Sequence, residues 1–486
     1  MALSSGVLQS AKRRLGIACL KVPACRVVCR LIMFTWKNLV TALAGAVLSA
    51  SLAAQGDALN SPAAAQDAKS AFWHSVFTEN HVLQVELSIT REQFNAMPPR
   101  REGRHNKFPY VKADVTIDGQ PFAEAGLRFK GNSSFGFSRG TSKRPFKIDL
   151  NRFKKQKLHG RTKLNLSTSF LDPAFMKEKL GYEIYRAAGM ATPGVGWANV
   201  TLAVAGEPKE LLGIYVLIEQ VDERFVVRNF GKASKGSLLM KPDGIEDWPS
   251  FGDKAEANEV YNIKIGENNA AQIRRFAQLV KLIEQGSDQE FASQIVERMD
   301  VEQFAGYLAA TSVLANVDSY IGMPHNYYLL LDKKDDKLRM LPWDLNETFG
   351  AFTMGRDPED LAQWSIARPW VSRLRLVERL FATEWFVATY RAAIEKLLKQ
   401  NFTEAKMFAR LQAFEAALMP VLQANQQEAV LADLRMAIDG DAAGVNAAVR
   451  RRVLAIKPFI QKRIASVKAQ LAGDSQGKEL RGRRRR

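Results

Sequence analysis

The chain has 486 residues, 47% hydrophobic and 25% charged, with a formal charge of +18; this is globular composition, not that of a disordered or collagen-like chain. The length exceeds one ordinary domain and suits two lobes sharing a cleft as well as two independent domains. Much of the positive charge lies at the ends: Lys12, Arg13, Arg14, Lys21, Arg26 and Arg30 precede Met33 with no acid among them, and Lys478, Arg481 and Arg483 to Arg486 close the chain. The body keeps a mild basic excess, which gives no ground for a specific nucleic-acid partner.

Met33 opens a stretch that reads as a secretory signal: Lys37 supplies the positive start, Leu39 to Leu52 the short apolar segment and Ser51-Leu52-Ala53 the small-residue cleavage pattern. Either translation starts at Met33 or the leader is removed. Cys19, Cys25 and Cys29 all precede Met33, so the mature chain is expected to be exported, periplasmic or extracellular, without disulfides. The apolar run is shorter than the roughly 20 residues of a spanning helix, so no transmembrane segment is expected after cleavage. We therefore read residues 1–54 as leader and signal, 55–78 as a linker, 79–222 as a strand-rich lobe, 223–474 as a helical lobe and 475–486 as a basic tail.

Val82 to Ile89 reads as a strand, and Thr90 with Gln93 as a capping-box start of a short helix. Val111, Ala113, Val115 and Ile117 alternate with polar residues up to a turn at Asp118-Gly119, after which Ala125, Leu127 and Phe129 face one way and Arg128 and Lys130 the other. The loop Gly131-Asn132-Ser133-Ser134-Phe135-Gly136 precedes a strand carrying Lys147. Amides and hydroxyls of Asn132, Ser133 and Ser134 could cradle phosphates, with Lys147, Arg128 or Lys130 neutralising them. A helix is expected from Asp172-Pro173 to Gly189, with Glu183 on the face of Met176 and Glu178 turned away. Two strands follow, Trp197 to Val204 and Leu211 to Ile218, ending at Glu219-Gln220-Val221-Asp222, where a connection between lobes could run.

Helices are expected over Ala270 to Glu284, Gln289 to Arg298 and Val301 to Leu314. Tyr327 to Leu331 and Leu338 to Trp343 then flank a charged turn, the pattern of an antiparallel hairpin. Pairing Asp332 with Leu338 would set Asn326 opposite Asp344 at its open end, with Asp318 entering from a loop containing Gly322 and Pro324. Two carboxylates and an amide suit a hard divalent cation that takes its other ligands from phosphate. Protein kinases order a catalytic Asp, a metal-binding Asn and a second metal-binding Asp in the same way, though no His-Arg-Asp or Asp-Phe-Gly is present. His325 reads as a hydrogen-bonding support. The remaining chain is mostly helical, through Trp370 to Leu398, Glu404 to Gln426 and Ala447 to Leu471. The expected fold class is α+β with two lobes, strand-rich first and helix-rich second, and the kinase-like order of Asp318, Asn326 and Asp344 makes it at most an atypical protein-kinase-like fold.

The motifs Arg128-Phe129-Lys130-Gly131-Asn132-Ser133-Ser134, Lys143-Arg144-Pro145-Phe146-Lys147-Ile148, Leu164-Asn165-Leu166, Gly213 to Asp222, His325-Asn326-Tyr327-Tyr328 and Pro342-Trp343-Asp344 together resemble the CotH kinases, a group of secreted atypical protein kinases. The resemblance implies ATP-dependent phosphorylation of Ser or Thr hydroxyls on a protein substrate, with Mg2+ or Mn2+. By position, Asp318 is the expected catalytic carboxylate, Asn326 and Asp344 the metal ligands and Lys147 the ATP-contacting lysine, with Glu183, or less favourably Glu178, as its partner. Members of the family commonly carry a second acid two positions after the metal Asp, where this chain has Asn346, an uncharged oxygen ligand. Two readings stand beside this one: a non-catalytic, pseudokinase-type envelope or surface-assembly protein, and an acidic polymer held by the Arg481 to Arg486 tail.

Overall fold

The structure, a computed structural model, describes residues 62–102, 105–138, 140–245, 247–440 and 455–480. The expected leader and signal, and the Arg481 to Arg486 tail, lie outside the described residues.

The first half comprises α1 (Pro62–Phe77), β1 (Val82–Ile89), α2 (Arg91–Ala96), the small hairpin β2 (Arg100–Glu102) and β3 (His105–Lys107), β4 (Val111–Ile117), β5 (Gln120–Phe129), α3 (Ser133–Phe137), β6 (Phe146–Asp149), β7 (Lys163–Ser167), α4 (Lys177–Ala187), β8 (Val195–Val204) and β9 (Glu210–Glu219). Seven of these strands close a barrel in the order β1-β4-β5-β6-β7-β9-β8. β1 pairs antiparallel with β4 and parallel with β8, from Val82 opposite Trp197 to Ile89 opposite Val204. Alternation fills the interior with Leu83, Val85, Leu87, Val115, Leu127, Phe129, Phe146, Ile148 and Leu217.

The expected linker is a correction. Its second part is helix α1, whose Trp73 and Val76 are buried with the barrel core, and Trp73 Nε1 donates to the His159 carbonyl at 2.9 Å. Large apolar side chains do not stay in solvent where a barrel end can cover them.

β8 and β9 are buried on both faces. Their alternate residues Trp197, Ile214, Val216 and Ile218 belong to the core of the second half, which fixes one half against the other. The chain leaves β9 and enters the second half at 219–222. There the buried Glu219 accepts from Arg228 (2.6 and 2.7 Å) and from the Gly194 amide (2.9 Å), and pairs with Arg161.

The second half comprises α5 (Glu223–Phe230), β10 (Leu238–Met240), α6 (Lys254–Tyr261), β11 (Ile263–Ile265), α7 (Ala270–Gln285), α8 (Asp288–Arg298), α9 (Val301–Val313), β12 (Tyr327–Leu331) and β13 (Leu338–Pro342). After these come α10 (Pro358–Ala362), α11 (Arg375–Phe381), α12 (Glu384–Gln400), α13 (Glu404–Ala424), α14 (Glu428–Asp439) and α15 (Ile456–Ala472). The helical stretch expected over Trp370 to Leu398 consists of two helices, α11 and α12. A four-stranded sheet, β11-β10-β12-β13, lies among the helices, and α9, buried along nearly its whole length, runs through the core. Strand-rich and helix-rich halves make the fold α+β, with two lobes. No helix among the described residues is long and apolar enough to cross a membrane.

Candidate active site

The β12–β13 hairpin forms with the expected strands but a different register. Leu331 pairs with Leu338 and Tyr327 with Pro342; the Asp332 amide donates to the Lys337 carbonyl and the Trp343 amide to the Asn326 carbonyl. Asn326 therefore lies opposite Trp343 rather than Asp344. The turn is one residue tighter than expected because Asp336 adopts φ +55°. Asn326 (φ +60°) and Asp344 (φ +58°) are both left-handed, a conformation Asn and Asp tolerate better than most residues. Both leave strand alternation at the hairpin mouth.

Asp318 enters from the loop after α9. The loop folds back so tightly that a Cβ on Gly322 would stand 1.9 Å from the Val317 carbonyl oxygen, which only glycine avoids. The carboxylate is nearly buried and held at both oxygens: Oδ1 shares a hydrogen bond with His325 Nε2, and Oδ2 accepts from Asn326 Nδ2 at 2.7 Å. The same Nδ2 donates to the Asp318 carbonyl at 3.1 Å. Burial alone would lower the His325 pKa, but the Asp318 hydrogen bond and charge raise it. The amide nitrogen of Asn326 is committed to Asp318, which leaves its oxygen as the atom available to a cation.

Asp344 is fixed by its backbone, whose N–H donates to Tyr182 Oη at 3.1 Å. Tyr182 lies on α4, one turn after Glu178, so both share a face turned to Asp344. Glu178 is 1% exposed and neither carboxylate oxygen has a hydrogen-bond partner among the described residues. Burial, then the charge of Asp344, pushes its carboxyl up to about 8, with Lys130 opposing. Glu347 is pushed up to about 8 by burial and then by Asp318 and Asp344. Asn346 donates its amide to the Phe170 carbonyl at 3.1 Å.

Glu183 is a correction. It pairs with Arg410 of α13 at 3.1 Å, whereas Glu178 feels the charges of Asp344 and Lys130, so the α4 carboxylate at the site is Glu178. Helix α4 starts at Lys177, later than expected, and is buried on nearly every face, so an apolar stripe could not tell which Glu points inward. The Asn132, Ser133 and Ser134 segment is also not an open loop: Ser133 and Ser134 begin α3, with Gly131 at φ +80° before it.

Lys147 hydrogen-bonds the side-chain oxygen of Gln220 at the crossing between halves. Burial, then Arg128, Lys163 and Lys130, holds its pKa well below the ordinary lysine value. Lys241 and Lys264 join the same group, since Lys130 opposes the charge of Lys241, and Lys241 and Arg128 oppose that of Lys264. Mutually repelling cations thus stand beside mutually repelling carboxylates. A polyphosphate with a divalent cation satisfies both sets.

Among the described residues no three His, Cys, Asp or Glu side chains are placed to hold a metal ion by themselves. A cation here would need phosphate and water oxygens to complete its shell, as Mg2+ accepts. The unpartnered, buried oxygens of Glu178 and the uncommitted oxygen of Asn326 suit such a site.

The sequence profile of the CotH kinase protein family matches residues 127–467, more than half of the chain. The chain belongs to the CotH kinase family. The inner spore coat protein H of Bacillus subtilis (strain 168) is 22% identical over 293 residues, covering 58% of this chain and 75% of that protein. The Helicobacter pylori proinflammatory kinase CtkA covers 67% of this chain and 94% of its own, at 10% identity and a TM-score of 0.25, a likeness that carries no argument. In this CotH kinase protein, Lys147, Glu178, Lys241, Asp318, Asn326, Asp344 and Glu347 all fall within the matched span. Lys241 and Glu347 were not singled out from the sequence. Glu347 follows Asp344 closely enough to be sought there, whereas Lys241, in Lys241-Pro242-Asp243-Gly244, has the look of an ordinary turn.

Proposed function

We propose that the protein is an exported protein kinase that transfers the terminal phosphoryl group of ATP to Ser or Thr hydroxyls of a protein substrate. The observation that carries this reading is Asp318, oriented through both oxygens by His325 and Asn326 beside Asp344 and the mutually repelling cations around Lys147 and Lys241. Each Asp318 oxygen keeps a lone pair beyond the bond it accepts, so the carboxylate can orient the acceptor hydroxyl and take its proton. The hydroxyl oxygen forms the new P–O bond, the bond from the terminal phosphorus to its bridging oxygen breaks, and ADP leaves with that electron pair. Asp344, with the side-chain oxygens of Asn326 and Asn346, would hold Mg2+ or Mn2+, which neutralises phosphate charge when bound. Lys147 and the segment Asn132, Ser133 and Ser134 would contact the nucleotide phosphates, with Glu178 buried within reach of the charges of Asp344 and Lys130.

The cell envelope is the proposed location, in keeping with the expected signal and with the spore-coat name of the relative. An acidic polymer on the Arg481 to Arg486 tail is a further proposed contact. A second reading, a non-catalytic envelope-assembly protein, draws support from Lys147, which among the described residues has no paired carboxylate and hydrogen-bonds Gln220.

The test is transfer from labelled ATP by the full chain with Mg2+ or Mn2+ and a Ser-rich acceptor. Incorporation lost in Asp318→Ala and in Asp344→Ala supports the kinase. Absence of transfer, together with no rise in melting temperature on adding ATP and metal, turns the reading to the binding protein.

A further inference from the structure

Lys241 follows β10, where Met240 pairs with Leu329 of β12, so it falls beside Tyr328. Its ammonium stands 5.8 Å from the Tyr328 ring centroid and 5.5 Å from that of Trp343, the residue before Asp344. The backbone is tied on two sides. Its own N–H donates to the carbonyls of Tyr261 (3.1 Å) and Asn262 (3.2 Å), and the Gly244 and Ile245 amides donate to the Pro324 carbonyl at 3.1 and 3.2 Å. The turn is thereby joined to the loop that carries Asp318 and His325.

The side chain is half-buried, and among the described residues its ammonium has no hydrogen bond or ion pair. Burial lowers its pKa, while Asp344 and Asp243 attract the charge and Lys130 repels it. Aromatic faces compensate part of the lost hydration of a cation, and an anion would compensate the rest. The position also decides which part of a nucleotide it can meet. Lys147 is tethered to Gln220 at the crossing between halves, whereas Lys241 is fastened to the loop bearing the proposed base. The acceptor hydroxyl and the group it attacks must both lie next to that base.

We propose that Lys241 binds the terminal phosphoryl group of a nucleoside triphosphate, the group in transfer, and neutralises charge on its non-bridging oxygens. The inference rests on the kinase reading. It adds a catalytic contact from the helical lobe, where a preorganised cation serves a group whose charge shifts during reaction.

Full-length protein, Lys241→Met and Lys241→Arg are compared for binding of Mg-ADP and of the Mg-bound β,γ-imido analogue of ATP, by calorimetry. Lys241→Met is expected to keep ADP affinity within about twofold and to lose about tenfold for the imido analogue, as removal of one charge-assisted contact does. Lys241→Arg, which keeps the charge, is expected to retain the preference of the parent for the longer nucleotide. Equal weakening for both nucleotides, no weakening for either, or loss of that preference in Lys241→Arg overturns the inference while the kinase reading stands. Failure of the parent protein to bind either nucleotide overturns the kinase reading and this inference with it.

Discussion

Asn326 donates one side-chain nitrogen to both the Oδ2 (2.7 Å) and the main-chain carbonyl (3.1 Å) of Asp318, so a single amide holds the proposed base and the loop that delivers it. Asn326→Ala is expected to lower phosphoryl transfer by at least about 100-fold, because the base loses its orientation. It also places Ala at φ +60°, and the summed stability loss is expected at roughly 1–3 kcal/mol. Asn326→Asp would bring two carboxylates to hydrogen-bond distance. Its melting temperature should fall below that of the parent at pH 7, and the gap should narrow near pH 4; a constant gap would contradict the pairing.

Glu178 and Glu183 should behave oppositely. Glu183→Gln removes a part-exposed ion pair with Arg410, expected to matter by no more than about 1 kcal/mol and to leave nucleotide binding unchanged. Glu178 has its carboxyl raised to about 8, so between its unfolded value of about 4.3 and about 8 the native state binds more protons than the unfolded one. Stability of the metal-free protein should therefore fall as pH rises through that window. Glu178→Gln should flatten this dependence, as read from melting temperatures at pH 6 and pH 9.

Lys179 gives the reverse slope. Its ammonium donates to the carbonyls of Phe77 (2.7 Å) and Val195 (2.8 Å) and lies over the rings of Trp197 and Phe414. Burial pushes it down to about 8. From about 8 to its unfolded value of about 10.4 the unfolded chain binds more protons, so this group makes stability rise with pH over that range. Lys179→Met should remove the rise and, by leaving two carbonyls unpaired, cost roughly 1–3 kcal/mol in denaturant titration at pH 7.

Arg463 is fully buried and, among the described residues, has no carboxylate partner. It donates to the carbonyls of Ala362 (3.1 Å), Trp364 (2.7 Å) and Ser312 (2.8 Å), tying α15 to the end of α9 just before the Asp318 loop. Arg463→Met is expected to destabilise by roughly 3 kcal/mol, since three buried acceptors lose their donor. Arg463→Lys should recover only part of it, because one ammonium cannot reproduce the planar fork. Chemical denaturation of the three proteins would measure both effects.

Local pattern carried much of the fold. The Thr90 capping box, the Asp118-Gly119 hairpin and the β12–β13 strands were readable because each rests on neighbours in sequence. What escaped rests on partners far along the chain. Glu183 meets Arg410 from α13, and Lys241 gains meaning only when β10 is laid beside β12. The hairpin register slipped by one for a different reason: the left-handed Asp336 closes the turn in a way residue counting does not show. Asp318 and Asn326 come together, while Glu178 displaces Glu183 because a helix buried on nearly all sides has no informative stripe.

β1 closes the barrel by joining β4 on one side and β8 on the other, and this bears on where the protein can be cut. The family match begins at residue 127, inside β5, so a fragment trimmed to the matched span would lack β1, β4 and most of β5. Such a fragment would keep the proposed catalytic residues yet bare β8, which loses β1, and the remnant of β5, which loses β4, as unpaired strand edges, which invite association with other chains. Expression boundaries for this protein are therefore set by the circumference of the barrel and should start upstream of Trp73, whose ring is buried with the barrel core.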